Sequence, residues 1–151
     1  MSTQGDNRID VDFRQWPLVV ASFIGQPSDE AFAAYLDILE RNLHDTIARG
    51  LKTAVLVDTT LGPLPASTKQ RRMQADWLGQ HERILRAGCA GTGFVVQSPV
   101  VRGVMTAVMW MHDLPQAHAI FATYERAERW CIARLAEANI DVSPRVAPHI
   151  T

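Results

Sequence analysis

The segment Leu51–Leu64, LKTAVLVDTTLGPL, constrains this chain more than any other. Within it, Thr53-Ala54-Val55-Leu56-Val57 is an unbroken run bounded by helical patterns, and it stops abruptly at Asp58-Thr59-Thr60 and a Gly/Pro turn. A strand with one wet face alternates apolar and polar residues. A run without alternation predicts a parallel strand covered on both faces. The polar triplet then falls at the strand's carboxyl end, the edge where open α/β sheets place ligands and switches. Asp58, Thr59 and Thr60 are therefore the first candidate functional residues.

The chain of 151 residues is long enough for one domain around one core and too short for two comfortable ones. With 15 basic and 16 acidic residues the net charge is −1, which gives no global reason to bind nucleic acid or an anionic membrane. No apolar stretch approaches the roughly 20 residues of a membrane span. Cys89 and Cys131 lack CxxC spacing, and the polar start MSTQGDNRID carries no apolar signal segment, so two buried, reduced thiols in a soluble cytoplasmic protein are expected.

Along the chain, residues 1–8 read as a flexible leader, 9–139 as the domain and 140–151 as a flexible tail with Pro144 and Pro148. Ile9, Val11 and Phe13 alternate with Asp10, Asp12 and Arg14, the mark of a half-exposed strand. The turn at Gln15-Trp16-Pro17 leads into a more buried strand, Leu18–Ile24, and its shortness predicts an antiparallel hairpin. Ser28 is placed to cap a helix that carries Phe32, Tyr35, Leu36, Leu39, Leu43 and Ile47 on one face and stops at Gly50. After the buried strand, a second helix is expected over 67–87, a strand over 92–96, a third helix over 100–111, a short strand over 118–122 and a fourth helix capped by Thr123. The order is ββαβαβαβα: an α/β domain with a mixed five-stranded sheet and four helices. Right-handed crossovers make the later strands parallel and leave the first as an antiparallel edge.

This order resembles the STAS domain, the fold of bacterial anti-sigma-factor antagonists. Gln74-Ala75-Asp76-Trp77, Phe94-Val95-Val96, Ser98-Pro99-Val100-Val101-Arg102-Gly103, Met105-Thr106-Ala107-Val108-Met109-Trp110 and Glu125-Arg126-Ala127 with Trp130 resemble the SpoIIAA-like (STAS/SEC14-type) bacterial proteins. The resemblance implies a STAS-like domain with its helices mainly on one side of the sheet. It also implies a phosphoacceptor: in the antagonist branch a serine or threonine follows an aspartate at the end of the third strand, and Thr60, with Thr59 beside it, stands at that spacing from Asp58. The chain departs from the branch by inserting Leu61-Gly62-Pro63-Leu64-Pro65 before its second helix.

Other chemistry is absent from the pattern. The glycines of Gly88-Cys89-Ala90-Gly91-Thr92-Gly93 precede a strand, whereas a phosphate-cradling loop follows one. His112, Asp113 and His118 lack metal-ligand spacing, and no nucleophile motif or suitably spaced carboxylate pair occurs, so neither catalytic residues, nor a metal, nor a cofactor is expected. The third helix is apolar on more than one face. A domain of this size offers one core side, which leaves Val101, Met105, Val108, Met109 and Trp110 as candidates for an interface with a second copy or a regulatory protein. The reading is a non-enzymatic regulatory or protein-interaction module, switched at Asp58–Thr60, forming a homodimer or binding a partner. The alternative is a small-molecule or lipid sensor, or a minor enzyme, with a pocket near Asp58, Arg102 and His112.

Overall fold

The computed structural model describes residues 6–62, 66–111 and 114–144. Five strands, β1 (Arg8–Asp12), β2 (Leu18–Ile24), β3 (Thr53–Asp58), β4 (Cys89–Val95) and β5 (His118–Phe121), form one sheet in chain order. β1 pairs antiparallel with β2, from Arg8 opposite Ile24 to Asp12 opposite Val20, and the other pairings are parallel. The helices are α1 (Asp29–Ala48), α2 (Thr68–Gln80), α3 (Glu82–Gly88), α4 (Pro99–Met111) and α5 (Tyr124–Glu137). The mixed five-stranded sheet and the α/β order follow the sequence reading.

β3 lies at the centre, and Thr53 to Val57 are all buried. Its side chains alternate between two cores. Ala54 and Leu56 join Leu18, Val20 and Val95 beneath Ala127, Cys131 and Leu135 of α5. On the opposite face Ala21 and Cys89 meet Phe32, Tyr35, Leu36 and Leu43 of α1, Trp77 of α2 and Leu85 of α3. The two-sided cover follows from strand order. Each right-handed crossover steps to the next strand in the same direction, which keeps crossover helices on one face. Only α5, after the last strand, is free to cover the other, so the one-sided arrangement holds for α1 to α3 and fails for α5.

Two further departures have local causes. The helix expected over 67–87 is broken, and the described residues form five helices where four were expected. The break falls at His81, whose ring stacks on Trp77 at 4.6 Å and whose Nδ1 lies 2.8 Å from the Trp77 carbonyl, while Nε2 lies 3.1 Å from Glu40 of α1. A side chain that bonds the preceding turn and a neighbouring helix at once redirects the backbone. The strand expected from Thr92 begins instead at Cys89. Gly91 and Gly93 are strand residues whose missing side chains let α5 approach: a Cβ at Gly91 would stand 2.8 Å from Trp130 Cη2, and one at Gly93 3.0 Å from Cys131 Sγ. Beyond α5, Ile140 and Val142, on the tail side of the expected boundary, pack against the α5 core, and Gln15 Nε2 donates to the Ser143 carbonyl at 2.9 Å.

The close approach at Gly91 sets a test. Gly91→Val should lower stability to urea by about 1–3 kcal/mol, because the rigid indole and the strand cannot both keep their places. Gly79→Ala, at an exposed helical position with nothing within 4 Å of the added methyl, should raise it by about 0.5–1 kcal/mol. A neutral Gly91→Val would contradict the packing of α5 on β4.

Candidate functional site

The carboxyl end of β3 is a built turn. Asp58 Oδ1 accepts hydrogen bonds from the Thr60 backbone N–H at 2.9 Å and from the Thr60 hydroxyl. This is an aspartate turn of the kind that side chain supports. Thr59 points the other way: its hydroxyl donates to the Val95 carbonyl at 2.6 Å, and its N–H donates to the same oxygen at 3.2 Å. Thr59 thereby continues the β3–β4 pairing by one residue. The Gly62 N–H returns to the Thr59 carbonyl and the Gly25 N–H donates to the Leu61 carbonyl, both at 3.0 Å. Thr60 is exposed, Thr59 and Asp58 are half-buried, and Leu61 is 65% exposed. Gly62 is tightly placed, since a Cβ there would stand 3.3 Å from the Phe23 carbonyl.

The start of α2 is tied to the start of α1. Ser67 Oγ caps α2 by accepting from the Gln70 N–H at 3.1 Å. The buried Gln70 amide donates to the Pro27 carbonyl at 2.9 Å and to Asp29 at 3.1 Å. The hydrogen bond from Gln70, with Lys69 at 3.2 Å, holds the Asp29 carboxyl below its ordinary range. The turn at Thr59–Gly62 and the start of α2 are thus each anchored.

Arg102 does not turn toward Asp58 to form a charged pocket. Its Nη1 donates to the carbonyls of Val96 and Gln97, both at 2.8 Å, so it serves the β4–α4 loop. His112 lies outside the described residues. The pocket expected near Asp58, Arg102 and His112 is therefore not assembled from the side chains described. Among the interface candidates, Val101 and Met105 are half-buried, and the side chains of Val108, Met109 and Trp110 lie outside the described residues. Among the described side chains of α4 the exposed large apolar ones are Val100, 75% exposed, and Val104, 59%. With Gly103 and Ala107, also exposed, they form a stripe at helical spacing. Val100 and Val104 belong to the same apolar run of α4 as the candidates read from the sequence, and position on the helix decides which of the described side chains are exposed.

Similarity to known proteins rests on shape. Neither a family profile nor a curated protein sequence matches the chain. Among solved structures, a DUF3478-family protein with a SpoIIAA-like fold from Shewanella loihica PV-4 superposes with a TM-score of 0.62 at 15% identity, covering 87% of this chain and 98% of that one. An anti-sigma factor antagonist from Mycobacterium paratuberculosis superposes with a TM-score of 0.53 at 11% identity, with the same coverages. The fold is SpoIIAA-like, of the STAS type.

Within that fold both cysteines and Tyr35 are buried. Burial pushes the Cys131 thiol up to about 12 and the Cys89 thiol above its ordinary value, and it raises the Tyr35 hydroxyl as well. Thiols held protonated are poor nucleophiles. Among the described residues no group of three or more His, Cys, Asp or Glu side chains could hold a metal ion, and no helix is long and apolar enough to cross a membrane.

The two threonines differ in what they hold. Thr59→Val should cost about 1–3 kcal/mol in denaturant unfolding, because it leaves the Val95 carbonyl without its hydroxyl donor. Thr60→Val should cost about 0.5 kcal/mol or less, since Thr60 is exposed and the half-buried Asp58 carboxylate can take water in place of the hydroxyl. Equal losses at the two positions would show that the turn does not divide the roles this way.

Proposed function

We propose that the protein is a non-enzymatic regulatory module that binds a partner protein or a second copy of itself, with Thr60 as the residue that switches it. The observation that carries this reading is the exposed Thr60 hydroxyl held on the Asp58 carboxylate at the carboxyl edge of a central strand. A phosphoryl group there replaces the hydroxyl donor with about two negative charges placed directly against a carboxylate. The Asp58–Thr60 bond is lost, like charges repel, and the turn that docks Leu61 on Gly25 opens. The surface shown to a partner changes while the core, anchored through Thr59, stays closed. Likeness in fold to an anti-sigma factor antagonist supports a regulatory role of this kind.

Val100, Gly103, Val104 and Ala107 of α4 supply the binding face in this reading. Isolated exposed apolar residues are ordinary, but a contiguous stripe on one helix marks an association surface. A two-fold pairing of two copies through α4 would cover the same residues on each.

Two measurements test the reading. Mass spectrometry of protein taken from its native cell should find phosphate on Thr60 and none on Thr59, and Thr60→Glu should change which proteins co-purify while leaving urea stability within about 0.5 kcal/mol of Thr60→Val. Absence of phosphate together with an unchanged set of co-purifying proteins would refute the switch. For the α4 face, Val104→Glu should convert a dimer to a monomer in sedimentation experiments, since an unpaired carboxylate in an apolar interface is costly to desolvate. A wild-type chain that stays monomeric at high concentration would remove self-association and leave only a different protein as partner.

A further inference from the structure

Between the sheet face that carries Val55 and Val57 and the helices α1 to α3 lies a cavity of about 50 Å³. Its wall is mainly apolar, with Tyr35, Leu39 and Phe94 prominent, and Gln116 enters it from the segment that joins α4 to β5. Two of the residues lining it carry buried polar atoms without a hydrogen-bond partner: the Trp77 indole Nε1 and Gln116 Oε1. Trp77 is 8% exposed, so its N–H has little access to bulk water. Leaving such a group unpaired is costly, and native structures avoid it.

The two orphans are complementary. An indole nitrogen only donates, and an amide oxygen only accepts. A ligand that satisfies both carries one acceptor and one donor in a small frame. It must also be uncharged, because the apolar wall offers no counter-ion and an isolated charge there would be strongly disfavoured. Size narrows the choice further. An engineered cavity of about 150 Å³ takes benzene, so a third of that volume admits a group of only a few heavy atoms. We propose that this cavity is a binding site for a small uncharged carboxamide, whose carbonyl accepts from Trp77 and whose N–H donates to Gln116. The site uses none of the residues of the Asp58–Thr60 turn.

Acetamide is the probe, and acetate, the same shape with a charge, is its control. In nitrogen–proton spectra of the full chain, the Trp77 indole signal should move saturably with acetamide and not with acetate. The Trp16 indole, already donating to Asn42 at 2.9 Å, should stay in place. Trp77→Phe removes the donor and Gln116→Leu the acceptor; each should weaken acetamide binding about tenfold, the second read from the Trp77 signal and the first from backbone amides lining the cavity. Gln116 is only half-buried, so its replacement keeps the test valid if the Trp77 variant unfolds. Linear, unsaturated shifts, equal responses to acetamide and acetate, or an indole N–H contacted by water alone would each overturn the proposal.

Discussion

A central strand buried on both faces sets the terms for the rest of this molecule. Thr53 to Val57 of β3 leave no side for water, so each face needs helical cover. Strands added in chain order by right-handed crossovers bring their helices to one face only. Cover for the other must come from a helix outside the crossovers, and α5 is that helix. Its seat is cut by Gly91 and Gly93, which stand where side chains would collide with Trp130 and Cys131. The glycines, the terminal helix and the apolar run of β3 are therefore parts of a single solution.

The two ends of the sheet are held differently. At the amino end of β3 the Trp16 indole donates to Asn42 Oδ1 at 2.9 Å, Asn42 Nδ2 donates to the Thr53 hydroxyl at 3.0 Å, and that hydroxyl donates to the Pro17 carbonyl at 2.7 Å. Asn42 and Thr53 are buried, and a polar chain that is satisfied throughout fixes the register of the β1–β2 turn, α1 and β3 together. At the carboxyl end the Asp58–Thr60 bonds are local and exposed, while Thr59 is tied to Val95 and Leu61 to Gly25 across the sheet edge. The Asp58 turn can open without disturbing the network at the other end. The buried network thus lies at one end of the sheet and the exposed turn at the other.

How much could be read from sequence follows the same physics. The run at 53–57, the cap at Ser28 and the alternation at Ile9 and Val11 are local signals, and the elements they announce are present. The break at His81 was hidden because it depends on Glu40, a residue on another helix. The true role of Gly91 and Gly93 was hidden for a similar reason. Their spacing does not fit a phosphate loop; the two residues sit on one face of a strand, two apart, where they admit a helix. Spacing of two at the start of a strand, followed downstream by a tryptophan next to a cysteine on a helix, was the signal available. For the candidate site, Asp58, Thr59 and Thr60 were found by position at a strand end, but which hydroxyl is exposed depends on the Val95 carbonyl of β4 and was not legible locally.

The exposure of α4 and the cavity beneath the α4–β5 segment share a cause. β5 contributes only four residues, His118 to Phe121, and each is half-buried. A strand of that length at the edge of the sheet gives α4 little to pack on. The helix must still span from the end of β4 to the start of β5, so its length exceeds its support. One result is a face with Val100 and Val104 turned to solvent. The other is a core less tightly closed where Gln116 comes down beside Thr92, whose hydroxyl accepts from Gln116 Nε2 at 3.4 Å. A longer β5 would give α4 a seat and close the wall beside Gln116. The short edge strand thus goes together with an exposed apolar face on α4 and a small, mainly apolar space that Gln116 enters.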